Sequence, residues 1–263
     1  MELTIKGKKA YAYTGGKEFD ASLPTVMFVH GAQCDHSVWI LQSRYLAHHG
    51  YGVLALDLPG HGRSAGPALA RIEDLADWIP DVLDAAGVEQ ASMVGHSMGS
   101  LIALECAARH PQRTARIALL ATAYPMKVSA ELLDATKNNE PVAQDMVNIW
   151  SHLAYAQYPN NPGPGFWVIG ENLRLMQRQS PGVMHVDFTA CNAYGGGADA
   201  AARVQCPALF LIARRDAMTP ARSAQAFAQT VRGARTVMIE GSGHNMMGEK
   251  PDEVLDALAA FMK

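Results

Sequence analysis

The chain has 263 residues, of which 49% are hydrophobic and 18% charged, with a formal net charge of −3. That length and apolar content fit one large α/β domain, alone or carrying an inserted subdomain, and the charge balance gives no electrostatic reason to expect nucleic acid or an anionic membrane as partner. No apolar run approaches the ~18 residues needed to span a bilayer, and Met1–Lys9 carries charges where a signal peptide needs its apolar stretch, so a cytoplasmic location is expected.

Residues 3–13 alternate around Gly7-Lys8 and read as an antiparallel hairpin. Beyond it, short apolar runs alternate with amphipathic stretches, the pattern of a mostly parallel sheet flanked by helices. The expected buried strands are residues 26–29, 53–56, 91–94, 117–121, 208–212 and 236–239. Helices are expected at 38–49 and 98–110, closed by Gly50 and Pro111. A helix over 72–86 places Ile72, Leu75, Ala76, Ile79, Val82, Leu83 and Ala86 on one face and ends at Gly87. Pro80 lies inside it, and the missing N–H predicts a kink or break there. Pro220 and Pro251 open helices 220–231 and 251–262.

Residues 122–203 break this rhythm. They hold helical stretches, a Pro/Gly/Asn loop at 159–165 and the run Gly195-Gly196-Gly197, with no comparable strand. The expected organisation is an α/β core of residues 1–121 and 204–263 with a helical lid over 122–203, hinged at the two glycine-rich segments. Trp150, Trp167 and Phe188 are candidate substrate contacts in that lid; the alternative is that its aromatics form the lid's own small core. Cys34, Cys106, Cys191 and Cys206 show no C-x-x-C pair and no zinc-like grouping, and they read as packing residues or bystanders.

A Gly-x-Ser-x-Gly motif matters because it drives a sharp turn between a strand and a helix, which exposes the serine hydroxyl above a sheet. It occurs twice. Gly62-Arg63-Ser64-Ala65-Gly66 follows Pro59-Gly60-His61 and runs into Pro67, with neither a strand before it nor a helix after it. Gly95-His96-Ser97-Met98-Gly99 follows the apolar run Ala91–Val94 and precedes Leu101-Ile102-Ala103-Leu104. Context selects Ser97 as the nucleophile.

A serine needs a base to take its proton. Of ten histidines, His244 alone follows the last expected strand, in the loop Glu240-Gly241-Ser242-Gly243-His244-Asn245. The imidazole needs a carboxylate on its other nitrogen, and Asp216 lies just beyond the strand at 208–212. All three positions sit at the carboxyl ends of expected strands, where sites form on open α/β sheets. The other acid position, after residues 117–121, reads Thr122-Ala123-Tyr124-Pro125 and offers no carboxylate. An oxyanion needs at least two fixed donors; the backbone N–H groups of Met98 and Ala32 are the candidates, Gly31 allowing close approach. His30 and His96 are given structural roles.

These residues resemble the α/β-hydrolase superfamily, specifically its esterase and haloperoxidase-like branch with a helical cap. The landmarks are His30-Gly31 with Trp39, Asp57-Leu58-Pro59-Gly60-His61-Gly62-Arg63-Ser64, Gly95-His96-Ser97-Met98-Gly99, Asp216 with Pro220, and Gly243-His244. The resemblance implies structural roles for Asp57, His61 and Arg63, and neither a metal nor an organic cofactor. Ala213 stands where relatives often carry a glycine. Relatives that cleave carbon–carbon bonds usually have a glycine-rich run after the first His-Gly and an asparagine before the serine. Here Ala32-Gln33-Cys34 and His96 stand instead, which argues against that chemistry. A serine nucleophile also argues against haloalkane dehalogenase and epoxide hydrolase, which use aspartate.

The expected function is therefore hydrolysis of a small-molecule carboxylic ester, of small to medium size and largely apolar, through an acyl-enzyme. The alternatives are a lactone, thioester or carbon–carbon bond, peracid formation, or a non-hydrolytic receptor on the same scaffold. Neither the acyl and alcohol groups nor the oligomeric state has a signature in the sequence.

Overall fold

Eight short strands build one sheet in the order β1-β2-β4-β3-β5-β6-β7-β8. The computed structural model describes residues 1–138, 140–157 and 167–263. β1 (Glu2–Ile5) and β2 (Lys8–Tyr13) form the expected hairpin, and β2 runs antiparallel to β4 (Gly52–Asp57). The remaining strands, β3 (Thr25–Val29), β5 (Ala91–His96), β6 (Thr114–Leu120), β7 (Ala208–Ala213) and β8 (Arg235–Ile239), pair in parallel. Parallel pairing needs crossovers, and these cover both faces with helices.

The two faces can be read from strand alternation. In β7, Ala208, Phe210 and Ile212 face one core, while Leu209, Leu211 and Ala213 face the other. The first core takes α2 (Ile72–Ala86), α3 (Met98–Arg109) and α9 (Ala221–Ala228). The second takes α1 (Ile40–Ala47), the short α10 (Met246–Glu249) and α11 (Pro251–Met262). Burying each large side chain of this kind contributes roughly 1.5–3 kcal/mol. α2 buries the seven residues of its expected face and stops at Gly87, whose left-handed φ of 71° is open to glycine. It continues through Pro80 without a break. The first two residues of the helix expected at 38–49 belong instead to a 3₁₀ turn, His36–Trp39, capped by the Asp35 carboxylate on the Ser37 N–H, and the α-helix starts at Ile40.

Between β6 and β7 the regular structure among the described residues is helical: α4 (Ala130–Asn138), α5 (Glu140–Ser151), a 3₁₀ turn at Ala154–Gln157, α6 (Val168–Gln177), α7 (Val183–Ala193) and α8 (Gly197–Arg203). Leu132, Ala135, Ala143, Val147, Met176, Met184 and Phe188 form a third, separate core from α4 to α7. α8 differs, because Ala200 and Ala201 join the first core beside α3. Within Gly195–Gly197, expected as a hinge, Gly197 is packed, since a Cβ there would run into the Tyr124 ring, whereas Gly195 is exposed, its carbonyl accepting from Tyr124 Oη. The loop at 159–165 lies outside the described residues. Among the described residues no helix is long and apolar enough to cross a membrane.

Candidate active site

The turn from β5 into α3 places Ser97 at φ 51° and ψ −118°. A non-glycine residue held there costs about 1–3 kcal/mol, and the surroundings impose it. A Cβ at Gly95 would strike the Gly99 carbonyl, and one at Gly99 would strike the Val29 carbonyl. Both glycines are steric requirements of a turn pressed onto β3. Ser97 is half-buried and opens into a cavity of about 370 Å³. Ser64, at the other Gly-x-Ser-x-Gly, is spent on structure: its hydroxyl donates to the Asp57 carbonyl at 2.6 Å and accepts from the Tyr11 N–H at 2.9 Å.

His244 follows β8 and lines the same cavity as Ser97. Its Nδ1 lies 2.8 Å from Asp216 Oδ2. The Asp216 carboxylate is 6% exposed and fully engaged. Oδ1 accepts the N–H groups of Met218 (2.8 Å) and Thr219 (2.7 Å), and Oδ2 also accepts the Thr219 hydroxyl (2.6 Å). Burial alone would push this carboxyl up. The His244 charge, the His244 hydrogen bond and the two Thr219 bonds outweigh it and hold the carboxyl below its ordinary value. No hydrogen bond joins Ser97 Oγ to His244 among the described residues, as is common in sites without substrate.

Neighbouring histidines hold this arrangement as neutral rings. His96 Nε2–H donates to the His244 carbonyl at 2.9 Å, and burial lowers its pKa to about 3. His30 donates from Nδ1 to the Gly31 carbonyl and accepts the Leu58 N–H at Nε2, with its pKa lowered by burial to about 4. His61 is the opposite case. Its Nδ1 faces the Pro59 carbonyl at 3.1 Å and its Nε2 faces Asp187 Oδ2 at 2.8 Å, so both nitrogens carry protons. Burial opposes that charge, but Asp187 overcomes it and raises the pKa.

The loop after β3 brings Gly31 against Ser97, where a Cβ on Gly31 would lie 3.3 Å from the Ser97 Cβ. Ala32 lines the cavity beside Ser97. Met98 is the first residue of α3, so its N–H has no intrahelical acceptor. Next comes Gln33, at φ 56°, whose N–H donates to Asp187 Oδ2 at 2.8 Å. Its side chain donates to the Met176 carbonyl (3.0 Å) and to Glu140 Oε1 (3.1 Å). A second set of contacts grips the His244 loop. Glu249 accepts the Gly243 N–H at 2.7 Å and the Leu153 N–H at 2.8 Å, and the Asn245 N–H donates to the Ser151 carbonyl.

The cavity has two unequal parts. The larger is lined by Met126, Val128, Leu132, Trp150, Phe188 and Met218, with Lys127 at its rim. A smaller recess of about 40 Å³ lies past Ser97 toward Cys34, Val147, Met176 and Met247. Trp150 and Phe188 thus sit where a substrate contact is expected. Trp167 does not: it is 61% exposed, covers Gly170 at the start of α6 and lines neither part. Its ring serves local packing. All four cysteines are free thiols, and burial pushes the Cys34 thiol well above its ordinary range. Among the described residues the His/Cys/Asp/Glu grouping compact enough for an ion is Asp35, His36 and Asp57. Its donors are already committed: Asp57 accepts the His36 and Arg63 N–H groups and His36 Nδ1–H, and Asp35 pairs with Arg178.

Sequence reasoning missed Asp187, Glu249 and Thr219. Asp187 and Glu249 had one signal, an acid among apolar neighbours (Met184, Phe188 and Cys191; Met246 and Met247), which must find a partner when buried. Thr219 had the Asp-x-x-Thr spacing of a local side-chain turn.

An eight-stranded, mostly parallel sheet with helices on both faces and a strand–turn–helix serine defines an α/β-hydrolase. Residues 24–251 match the model of the α/β hydrolase fold family, and the chain belongs to it, with esterase and haloperoxidase-like relatives. It is 29% identical over 248 residues to the pimeloyl-[acyl-carrier protein] methyl ester esterase of Chromobacterium violaceum, covering 91% of this chain and 94% of that protein. It is 25% identical over 248 residues to the (E)-2-((N-methylformamido)methylene)succinate hydrolase of Acinetobacter baylyi, covering 90% of each. The crystal structure of the enol-lactonase from Burkholderia xenovorans superposes with a TM-score of 0.87 at 22% identity, over 100% of this chain and 99% of that one.

Proposed function

We propose that the protein is a serine-dependent carboxylic ester hydrolase using Ser97, His244 and Asp216. Ser97 Oγ attacks the ester carbonyl carbon while His244 Nε2 takes its proton. The alkoxide that forms is stabilised by the N–H groups of Ala32 and Met98. Collapse expels the alcohol, which receives the proton from His244, and leaves an acyl group on Ser97. Water activated by the same imidazole then releases the acid. Asp216 fixes the Nδ1–H tautomer and stabilises the transient imidazolium.

One observation carries the reading. A serine held at positive φ opens into the same cavity as a histidine whose Nδ1 is bound to a buried, fully hydrogen-bonded aspartate. The apolar wall of the larger part favours a small to medium, largely apolar portion of the ester, with the smaller group in the recess. Residues 122–203 act in this reading as a lid that selects substrate over a core of 1–121 and 204–263. The similarity to a methyl ester esterase along nearly the whole chain supports ester chemistry. A fluorophosphonate probe is expected to label Ser97 in the purified protein, which is also expected to turn over aryl esters of graded chain length. Labelling at Ser64, or persistent labelling of Ser97→Ala, would overturn the assignment.

A further inference from the structure

The buried pair His61 and Asp187 is not used by the chemical steps above, yet it ends on the loop that those steps need. Asp187 comes from α7, in the helices between β6 and β7, and His61 from the loop after β4. Both side chains are 1% exposed. Isolating a carboxylate in such a place is costly unless its oxygens are matched by donors and its charge by a cation. Asp187 Oδ2 has both: His61 Nε2–H at 2.8 Å and the Gln33 N–H at 2.8 Å.

Gln33 follows Ala32 directly, and its φ of 56° is a conformation that a non-glycine residue holds only when its surroundings impose it. The peptide plane that presents the Gln33 N–H begins at the Ala32 carbonyl carbon. Fixing that plane holds the Ala32 Cα and carbonyl carbon in place and so limits how far the Ala32 N–H can swing away from Ser97. We infer that Asp187 is a positioning residue for the oxyanion loop, holding the Ala32 N–H toward Ser97 through the Gln33 N–H, a role that rests on the ester hydrolase reading. His61 balances the carboxylate charge, with the His30 ring tilted against it at a centroid distance of 4.9 Å and Asp57 nearby. Gln33 is also tied to α5 and α6 through Glu140 and Met176, but those bonds hold its side chain. Asp187 holds the backbone.

The test separates the oxyanion from the rest of substrate binding. Ser97 Oγ adds to the carbonyl of an aryl trifluoromethyl ketone while its proton passes to His244, giving a tetrahedral alkoxide that needs both N–H donors. The corresponding carbinol occupies the cavity and forms no alkoxide. Asp187→Ala is expected to weaken ketone inhibition by ~10–100-fold, with kcat falling in parallel, since losing one such donor outright costs about 10²–10³. Carbinol affinity and KM are expected to stay within about twofold. Asp187→Asn keeps an acceptor for the Gln33 N–H but gives up the charge that matches His61, so it is expected to lie between wild type and alanine; it carries the test if the alanine variant folds poorly. Equal weakening of ketone and carbinol, or no loss for either, overturns the inference. A wild-type protein that neither hydrolyses esters nor binds the ketone overturns the ester hydrolase reading, and the role of Asp187 falls with it.

Discussion

At the scale of single residues, the two Gly-x-Ser-x-Gly matches show how one pattern serves two ends. Ser64 closes a hydrogen-bonded loop between β2 and β4, whereas Ser97 is forced into a sharp turn at the cavity by two glycines that admit no Cβ. Ser97→Ala is expected to lower kcat by several orders of magnitude with little effect on folding. Ser64→Ala is expected to keep turnover but lose about 1–3 kcal/mol of stability, because the Tyr11 N–H loses its acceptor. Steady-state kinetics and denaturant titration of both variants check this, and a Ser64→Ala protein that is folded but inactive would contradict it. Asp216→Asn is expected to cut kcat by ~10⁴-fold by disturbing the tautomer of His244; near-normal turnover in a folded variant would mean that another group orients the base. What the residues reveal in isolation is uneven. Ser97 and Asp216 could be located because each has a local frame, a strand before and a turn after. Asp187 and Gln33 lie 154 positions apart, and no local pattern records that one binds the backbone of the other.

At the scale of elements, the strands were legible because parallel strands buried on both faces read as short, continuous apolar runs. Boundaries shifted where hydrogen bonding, not hydrophobicity, decides them, as in the 3₁₀ turn ahead of α1. Trp167, expected as a substrate contact, lines neither part of the cavity for a related reason. An aromatic that lines a cavity and one that covers a glycine at a helix start give the same sequence signal. This distinction makes a prediction about the proposed lid. Trp150→Ala and Phe188→Ala remove wall from the larger part of the cavity, and each is expected to change the relative kcat/KM of short and long esters by ~1–3 kcal/mol. Trp167→Ala is expected to leave that ranking as it is. A chain-length profile unchanged in both cavity variants would contradict the assignment of this wall to substrate selection.

At the scale of the whole molecule, three histidines are buried with depressed pKa values: His30 and His152 at about 4 and His96 at about 3, in each case chiefly through burial. Their folded values lie below 6.5, so between pH 6.5 and about 4 the unfolded chain binds more protons than the folded one. The stability they confer is complete above pH 6.5 and declines as the pH falls, at up to about 1.4 kcal/mol per pH unit for each. His61 works in the opposite direction and offsets part of this loss. Its raised pKa stabilises fully below 6.5 and fades only as the pH rises through its folded value. Asp216, whose pKa is lowered, gives up its contribution only below about 3.8. Urea titrations at pH 7 and pH 5 are expected to show a fall of several kcal/mol, and equal stabilities would contradict the neutral assignment of these rings. The hydrogen bonds from α5, α6 and α7 to Gln33, and from the Glu249 cluster to the His244 loop, have a different consequence, for how such a protein can change. A graft that imports the helical segment of another family member, in order to borrow its preference for substrate, would also withdraw Glu140, Met176 and Asp187 from the loop that carries Ala32 and Gln33. Substitutions that keep those three anchors are therefore expected to change substrate range with activity retained, whereas wholesale exchange of the segment is expected to need compensating changes at Gln33 and His61.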